Sequence, residues 1–384
     1  MTKTIVIDDT TLRDGEQSAG VAFTESEKIE IATHLSTVGV PELEIGIPAM
    51  GAEEQAVMRA ISDLKLNSKL LAWCRMTEGD IAAARNTGVH IVDLSIPVSD
   101  QQIQHKLGYS RTKILQHIDI MVKKARDAGF DVCVGCEDAS RADQEFLFRV
   151  LEKANLAGAR RIRFADTLGV LDPFKTHHYI SCLRERSDIE IEMHAHDDFG
   201  MATANTLAAV MAGATHINTT VNGLGERAGN APLEELVLSL KHLYGMDTGI
   251  NIAALPALSK RVENASGRFI SWQKSIVGEG VFMHESGIHV DGLMKDTRNY
   301  QSLNPKDLGR EHQLVLGKHS GTGYLKKIYA DMGYHLEREQ LDLLLQQVRQ
   351  YAALYKSSPD SNQLIAFLGN LETLKTENGL RHLQ

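Results

Sequence analysis

The stretch Ile189-Glu190-Ile191-Glu192-Met193-His194 alternates apolar and polar side chains, as a β-strand does when only one of its faces is buried. Comparable runs recur from the N-terminus to residue 219. Each is followed by a segment with helical periodicity, and several of these segments open on a Ser, Thr or Asp cap. Strands that alternate with helices are typical of a parallel sheet. The eight predicted strands are 4–8, 42–47, 69–74, 91–96, 131–137, 160–165, 189–194 and 215–219.

The number of these units decides the fold class. Eight βα units within residues 1–250 have the size of a (β/α)₈ TIM barrel, for which about 250 residues are typical. We therefore predict an α/β protein whose catalytic domain is a barrel formed by residues 1–250. A doubly wound open sheet is the structural alternative.

The pattern changes in residues 251–384, where 252–266 and 336–355 have helical periodicity. We predict a mostly helical C-terminal subdomain for this region. Because its sequence shows no clear core of its own, we expect it to pack on the barrel or on another subunit. An oligomer is therefore a hypothesis.

Composition and charge exclude several classes of protein. The 384 residues include 50 acidic and 41 basic side chains, and the net charge of −9 argues against a nucleic-acid binder with a basic face. No apolar run approaches the ~20 residues that a membrane-spanning helix needs, so we expect no membrane insertion. The chain has four cysteines and no basic-then-apolar leader, which favours a reducing cytoplasm.

Two histidines stand at the end of the seventh predicted strand. His194 and His196 are separated by one residue, so strand alternation points both imidazoles to the same face, as metal ligands require. They lie at the carboxyl end of the strand, where barrel enzymes place their active sites. A solvated or hydrogen-bonded pair of histidines at a strand end is the alternative interpretation.

The first predicted strand is followed abruptly by charged residues. Arg13 and Asp14 are expected at the same barrel mouth as the histidine pair. One carboxylate and two neutral imidazoles make a mixed oxygen and nitrogen site for a divalent cation such as Mg²⁺, Mn²⁺ or Zn²⁺. An adjacent arginine could stabilise negative charge that develops on oxygen. The alternative is a helix cap with a cluster of salt bridges.

Polar side chains also mark the carboxyl ends of other strands. Barrel interiors are normally filled by branched apolar residues, so such a cluster indicates a site. Glu44, Glu137 and Thr167 are candidates on strands two, five and six. For Glu42 and Asp93 a supporting or turn position is the better interpretation.

The segment 218–230, after the eighth strand, is rich in glycines, whose backbone can approach a ligand closely. It lacks the third glycine of a dinucleotide site. Asn230 could add an oxygen ligand to a metal. Cys133 and Cys136 match redox or zinc spacing, but residues three apart face opposite sides of a strand and no second pair exists, so we interpret them as packing residues.

Two residues of the C-terminal region could transfer protons. His289 lies beside glycines, and Tyr300 follows it along the chain. A histidine titrates near neutrality, so the pair could act in catalysis if this region reaches a barrel mouth. A polar subdomain surface is the alternative.

Four segments together resemble the signatures of the 2-isopropylmalate and homocitrate synthases, of the DRE-TIM metallolyase family. They are DTTLRDGEQ at 9–17, HAHD at 194–197, NGLGERAGN at 222–230 and SGIH at 286–289. The resemblance spans about residues 4 to 320. It implies a metal-dependent barrel enzyme that condenses acetyl-CoA with a 2-oxo acid and then hydrolyses the thioester, which makes it an acyltransferase that converts the acyl group into an alkyl group.

The resemblance also implies roles for individual residues. Arg13 would bind and polarise the oxo-acid oxygen, and Glu137 would take part in catalysis. His289 and Tyr300 would come from the neighbouring subunit of a homodimer with swapped C-terminal regions and assist deprotonation of the acetyl methyl group. The implied metal ligands are Asp14, His194 and His196, with Asn230 as a weaker contact. The further implied substrate-binding residues are Gln17, Glu44, Arg75 and Thr167.

The identity of the oxo acid rests on finer similarity. Residues 299–321 are similar to the homocitrate synthases of nitrogen-fixing bacteria, which use 2-oxoglutarate and supply homocitrate for the nitrogenase iron-molybdenum cofactor. The common isopropylmalate synthases carry a further leucine-sensing domain, for which this chain has no room. Asp14 stands where the first motif of the lysine-pathway enzymes has a glutamate. Trp73, Cys74 and Arg75 stand on the strand where those enzymes carry histidines, so we do not expect that branch.

Other functions remain open at this point. The nearest is a 2-isopropylmalate or citramalate synthase using 2-oxoisovalerate or pyruvate. An acyl-CoA lyase or aldolase of the same barrel family ranks lower, because the acyl-CoA lyases use a cysteine in the glycine-rich loop and residues 218–230 contain none. A sensor that only binds a metal or ligand would not need the intact set of Arg13, Asp14, His194 and His196.

Overall fold

A computed structural model describes residues 5–381, with side chains as far as Leu371. Eight parallel strands form a closed barrel in sequence order, because β1 pairs with both β2 and β8. The predicted (β/α)₈ TIM barrel is therefore confirmed, and the open sheet is excluded. The strands are β1 Val6–Asp9, β2 Glu42–Glu44, β3 Lys69–Arg75, β4 Ile91–Pro97, β5 Asp131–Glu137, β6 Arg161–Asp166, β7 Glu190–Ala195 and β8 His216–Thr219.

Helices connect and surround the strands. The first begins with a capping box in which Thr24 and Glu27 satisfy each other's backbone N–H groups, and it ends at Gly39 in the left-handed conformation. A π-helical turn, Ile103–Leu107, continues α4. The helices in this part of the chain are α1 Glu25–Val38, α2 Ala52–Asp63, α3 Glu78–Ala84, α4 Asp100–Gln102, α5 Arg111–Asp127, α6 Gln144–Ala157, α7 Pro173–Arg186, α8 Ala202–Met211, α9 Leu233–Tyr244 and α10 Leu255–Ser266.

The inside of the barrel is charged rather than apolar. Arg161 and Arg163 project from β6 and are buried. Arg161 binds Glu42 and Glu192, so Glu42 holds a supporting position, as predicted. Each buried guanidinium tolerates its loss of water because carboxylates surround it. The carboxyl groups that bind Arg163 are those of Asp8, Glu44, Asp93 and Glu192.

The chain divides into two compact units, and the boundary between them lies later in the sequence than the predicted boundary after residue 250. The first unit runs to Ser271 and includes Ser275–Val277, so helix α10 belongs to the barrel unit. The second unit comprises Trp272–Lys274 and the chain from Gly278 onward. Its elements are β9 Met283–His284, α11 Gly287–Lys295, β10 Gln313–Leu314, α12 Thr322–Asp331, α13 Arg338–Tyr355 and α14 Ser361–Arg381.

The second unit has a hydrophobic core of its own, so the expectation that it lacks one is wrong. Leu325 and Tyr329 on α12 are fully buried and pack in one cluster with residues of α13 and α14. Each helix contributes only a short apolar stripe, which is why no single segment of sequence indicates the core. The α13 and α14 residues of the cluster are Leu341, Leu344, Leu345, Val348, Leu364 and Leu371.

Within residues 5–381, no helix combines the length and the apolar character needed to cross a membrane. The four cysteines are free. Cys133 and Cys136 are buried on β5, as expected of packing residues.

Candidate active site and metal centre

Asp14, His194 and His196 come together at the mouth of the barrel. Strand β7 carries His194, and the turn after β1 carries Asp14. One ligand atom from each residue lies within 4.8 Å of the others, and all three residues are buried. Asp14 Oδ2 is 3.4 Å from His194 Nε2 and 3.8 Å from His196 Nε2. Among the described residues, this is the group of three or more His, Cys, Asp or Glu side chains that could hold a metal ion.

Hydrogen bonds fix which ring nitrogen of each histidine carries the proton. Asn218 Nδ2 donates to Asp8, so Asn218 Oδ1 accepts from His194 Nδ1 at 2.7 Å. The carbonyl oxygen of Gly229 accepts from His196 Nδ1 at 3.2 Å. Both Nε2 atoms therefore present lone pairs, and they face each other at 3.2 Å. Two lone pairs cannot share a hydrogen bond, whereas a cation between them would be bound by both.

The protonation states of the three residues suit metal binding. Burial, followed by the neighbouring His196, lowers the pKa of His194 to about 4, and burial also lowers the pKa of His196. Burial would raise the pKa of Asp14, but Arg13, His194 and His196 outweigh it and hold that pKa below its usual value. Two neutral imidazoles and one carboxylate are thus ready without losing protons.

Two buried oxygens near this group lack hydrogen-bond partners in the described part of the chain. They are Asp14 Oδ1 and Asn230 Oδ1. Unsatisfied buried acceptors are costly unless something binds them. The donor set of carboxylate oxygens, imidazole nitrogens and an amide oxygen fits a divalent cation.

The glycine-rich loop holds His196 in place. Gly229 has φ +93°, and a Cβ there would lie 1.9 Å from the carbonyl oxygen of Gly223. Only glycine therefore allows the loop to fold back on itself and aim the Gly229 carbonyl at His196. Asn230 makes an isolated bridge with His196 and donates from Nδ2 to the Leu224 carbonyl at 2.9 Å.

Arg13 is fixed beside the three possible ligands. Its Nη1 donates to Asp14 at 3.1 Å and to Gln17 at 3.3 Å, and its Nη2 donates to Glu44 at 3.1 Å. Glu44 is shared with Arg163, which anchors it from behind. Arg13 Nε is buried and finds no hydrogen-bond partner within the described residues. That N–H remains available to an oxygen of a bound substrate.

A cavity of about 200 Å³ opens above these groups. Glu137 lies on its wall with Oε1 2.6 Å from Lys106 Nζ, and Thr167 accepts from the backbone N–H of Asp138 at 2.8 Å. The predicted site residues that line the cavity are Arg13, Asp14, Gln17, Glu137, Thr167, His194 and His196. The other lining residues are Trp73, Asp93, Ser95, Lys106, Gly135, Arg163, Ala165 and Glu226.

The predicted position of Asp93 therefore needs correction, because its side chain lines the cavity. Lys106 was not predicted at all. It sits on the π-helical turn, and no local pattern distinguishes it from a solvated lysine. Its ion pair with Glu137 appears only once the turn folds over β5.

Three predicted site residues of the barrel unit lie outside the cavity lining. Glu44 and Asn230 are buried behind it and contact Arg13 and the glycine-rich loop. Arg75 is different, because its side chain is 65% exposed and binds Asp80 through Nε and Nη2. The structure therefore gives no support for substrate binding by Arg75. The strand ends at this residue. The Arg75 side chain therefore binds Asp80 on α3 and does not line the cavity as Trp73 does.

His289 and Tyr300 lie in the second unit. Their rings stack with centroids 4.1 Å apart and an angle of 24° between the planes. Two further histidines of this unit, His284 and His312, are 3.1 Å apart, and Gln301 lies 3.0 Å from His312. The action of His289 and Tyr300 at a neighbouring active site stays a prediction.

A model described as HMGL-like matches residues 4–262, which is more than half of the chain. The chain belongs to the HMGL-like family. A second model, described as homocitrate synthase post-HMGL domain-like, matches residues 276–356 of the second unit.

Curated relatives of this HMGL-like chain are synthases. A protein named 2-isopropylmalate synthase 2 from Caldanaerobacter subterraneus is 48% identical over 354 residues, which cover 92% of each chain. Homocitrate synthase 1 from Nostoc sp. is 47% identical over 361 residues, covering 94% of this chain and 96% of the relative. A putative (R)-citramalate synthase from Methanopyrus kandleri is 43% identical and covers 89% of this chain. The chain is an enzyme, and its synthase relatives belong to the acyltransferase type.

Solved structures with the same fold are more distant. The hydroxymethylglutaryl-CoA lyase from Pseudomonas aeruginosa has a TM-score of 0.61 and 22% identity, and the match covers 73% of this chain and 97% of the lyase. At this identity the likeness shows the barrel fold alone.

Proposed function

We propose that this enzyme is a homocitrate synthase, which condenses acetyl-CoA with 2-oxoglutarate and hydrolyses the thioester to homocitrate and CoA. The observation that carries the proposal is the position of Arg13, which lies beside the possible metal ligands with one buried N–H unpartnered among the described residues. Family membership supports the reaction class. The two homocitrate synthase relatives that match at 47% and 45% identity support the choice of oxo acid.

The residues divide the chemical work as follows. A divalent cation held by Asp14, His194 and His196, and approached by Asn230, would polarise the ketone of the bound oxo acid. Arg13 donates from Nε to the ketone oxygen as it gains negative charge. Gln17 and Glu44 keep Arg13 in that position, and Thr167, which lines the same cavity, borders the substrate.

Proton transfer requires groups that are not committed to the metal. Glu137 lines the cavity, and its one described partner is the half-exposed Lys106, so we assign it a catalytic role there. We assign removal of the acetyl methyl proton to His289, assisted by the stacked Tyr300. In this proposal both come from the second copy of a homodimer with swapped C-terminal regions.

Mixing two inactive variants tests the swapped arrangement. Asp14→Ala disables the barrel half of a site, and His289→Ala disables the other half. If the halves come from different subunits, randomly mixed dimers regain about a quarter of the wild-type sites. If one chain supplies both halves, co-expression restores no activity and the swapped arrangement is wrong.

The cellular role follows from the same proposal. We infer that the product serves the nitrogenase iron-molybdenum cofactor, and that the enzyme works in the cytoplasm, where its four free cysteines stay reduced. Restoring diazotrophic growth in a host that lacks its own homocitrate synthase tests this role. A host that still needs added homocitrate contradicts it.

The second candidate function is a 2-isopropylmalate synthase that uses 2-oxoisovalerate, and it rests on the 48% identity to the relative named 2-isopropylmalate synthase 2. A citramalate synthase, which uses pyruvate, is a related candidate. CoA release with 2-oxoglutarate, 2-oxoisovalerate and pyruvate separates them. We expect the highest kcat/KM with 2-oxoglutarate, and no turnover above the other two would refute our assignment. Adding Mg²⁺, Mn²⁺ or Zn²⁺ in turn to enzyme that a chelator has stripped of metal identifies the activating metal.

A further inference from the structure

Asp93 has one carboxyl oxygen committed and one free. It lies on β4 and is 1% exposed. Oδ2 accepts from Arg163 Nη1 at 2.8 Å, whereas Oδ1 is buried without a hydrogen-bond partner in the part of the chain that the structure describes. The residue lines the cavity beside Trp73 and Ser95. An unpartnered buried oxygen at a cavity wall indicates a contact that a ligand completes.

The neighbouring strand makes room for this carboxyl group. Gly135 on β5 also lines the cavity. A Cβ on Gly135 would lie 2.7 Å from Asp93 Oδ1, 3.0 Å from Oδ2 and 3.1 Å from the Cα of Ser95. Any larger residue would therefore displace the carboxyl group. Glycine is needed here because of space and not because of its backbone angles.

The surroundings of Asp93 favour a proton on this carboxyl group. Arg163 serves four carboxyl groups, so one guanidinium cannot balance them all. Burial raises the pKa of Asp93 to about 6 against the lowering effect of Arg163, and Glu44 and Glu192 raise it further. The charged and titratable groups that interact electrostatically with Asp93 are Arg13 after β1, Glu44 on β2, Cys74 on β3, Cys133 and Cys136 on β5, Arg163 on β6 and Glu192 on β7.

We infer that Asp93 determines oxo-acid specificity, with its protonated Oδ1 donating a hydrogen bond to the terminal carboxylate of a dicarboxylic 2-oxo acid. This inference rests on the proposed function and names the part of the site that selects the substrate. An approaching carboxylate strengthens the effect, because a like charge raises the affinity of Asp93 for its proton. The branched apolar end of 2-oxoisovalerate would leave Oδ1 unpaired, which disfavours that substrate.

Three variants test this inference. Asp93→Asn keeps an oxygen for Arg163 and a neutral donor for the substrate, whereas Asp93→Leu removes both. Asp8→Asn is the matched control, because Asp8 is also buried, binds Arg163 at 3.0 Å and has an unpartnered Oδ1 within the described residues, yet it is not among the residues that line the cavity. The measurements are kcat/KM for 2-oxoglutarate and 2-oxoisovalerate, and calorimetric binding of 2-oxoglutarate without acetyl-CoA, from pH 5.5 to 8.5.

We expect Asp93→Leu to lower the preference for 2-oxoglutarate over 2-oxoisovalerate by roughly tenfold to a hundredfold, the value of a hydrogen bond to a charged group. Wild-type binding of 2-oxoglutarate weakens as pH rises and Asp93 loses its proton. Asp93→Asn removes this part of the pH dependence, and Asp8→Asn leaves the substrate preference unchanged.

Several results would overturn the inference. One is an Asp93→Asn pH profile equal to that of wild type, which decides the matter even if Asp93→Leu fails to fold. Another is an equal loss of kcat/KM for both substrates in Asp93→Leu. A third is a shift of substrate preference in Asp8→Asn as large as the shift in Asp93→Leu. If wild type does not turn over 2-oxoglutarate, the proposed function fails instead. If it does and Asp93 has no influence on preference, only this inference fails.

Discussion

Replacing Arg13 by lysine tests the central assignment of the active site. The substitution keeps the positive charge but removes the planar fork and its Nε donor. In the wild type that fork makes three contacts, to Asp14 and Gln17 through Nη1 and to Glu44 through Nη2. A lysine ammonium cannot keep these contacts and also donate from the Nε position.

The contacts set the expected magnitudes. Loss of one donor to a developing oxyanion costs about 10²- to 10³-fold in kcat, or ~2.7–4 kcal/mol. The loss in folding stability is smaller, because Glu44 keeps its contact with Arg163 at 3.2 Å. We expect that loss to be on the order of 2 kcal/mol, the value of one hydrogen bond to a charged group.

The assay is CoA release under saturating acetyl-CoA, with thermal unfolding as a check on folding. Arg75→Lys is the matched control, since Arg75 lies on the same barrel but is exposed and bound to Asp80. We expect it to change kcat/KM by less than about twofold. The reasoning is refuted if Arg13→Lys is folded and retains kcat within about threefold of wild type, or if both variants lose activity equally.

Three further predictions concern the metal site and stability. Asn218→Ala removes the acceptor that orients His194, so metal affinity should fall about 10- to 100-fold. The affinity is measured by titrating protein that a chelator has stripped of metal with Mn²⁺ or Zn²⁺. An unchanged affinity would contradict the proton position that we assign to His194. Burial, followed by Arg161, lowers the pKa of His216 to about 3 from 6.5, so the neutral form is favoured on folding and stability falls as pH drops from 6.5 toward 3. His216→Gln should remove a part of that loss on the order of 3 kcal/mol, seen in urea unfolding at pH 7.5 and 4.5, and an unchanged difference between the two pH values would count against it. Gly229→Ala should destabilise more than Gly129→Ala by at least about 1 kcal/mol, because both have similar positive φ but only Gly229 also lacks space for a Cβ, and equal melting temperatures would disprove this.

Much of the barrel could be predicted because its local patterns agree with its tertiary structure. Strand β5 was predicted with its observed bounds, and the others differ by a few residues at their ends. The spacing of His194 and His196 also indicated their shared direction, since it depends on strand geometry alone.

What could not be predicted depends on contacts between distant strands. Arg161 and Arg163 alternate on β6 as solvent-facing residues would, and only the carboxyl groups of four other strands make their burial possible. For the same reason, the sequence alone favours a supporting or turn position for Asp93. Its place at the cavity wall depends on Gly135 of the next strand, and no local pattern reveals that fit.

The buried interior reverses the usual order of acids and bases. In water at about pH 5, an aspartate is ionised and a histidine is protonated. Inside this barrel, burial raises the pKa of Asp9 to about 7 and that of Asp93 to about 6, while it lowers the pKa of His194 to about 4 and that of His216 to about 3. Unfolding in mild acid therefore passes protons from carboxyl groups to imidazoles within one molecule. For these four groups the number of protons exchanged with the buffer stays small, and their contribution to the heat of unfolding should depend little on the buffer chosen.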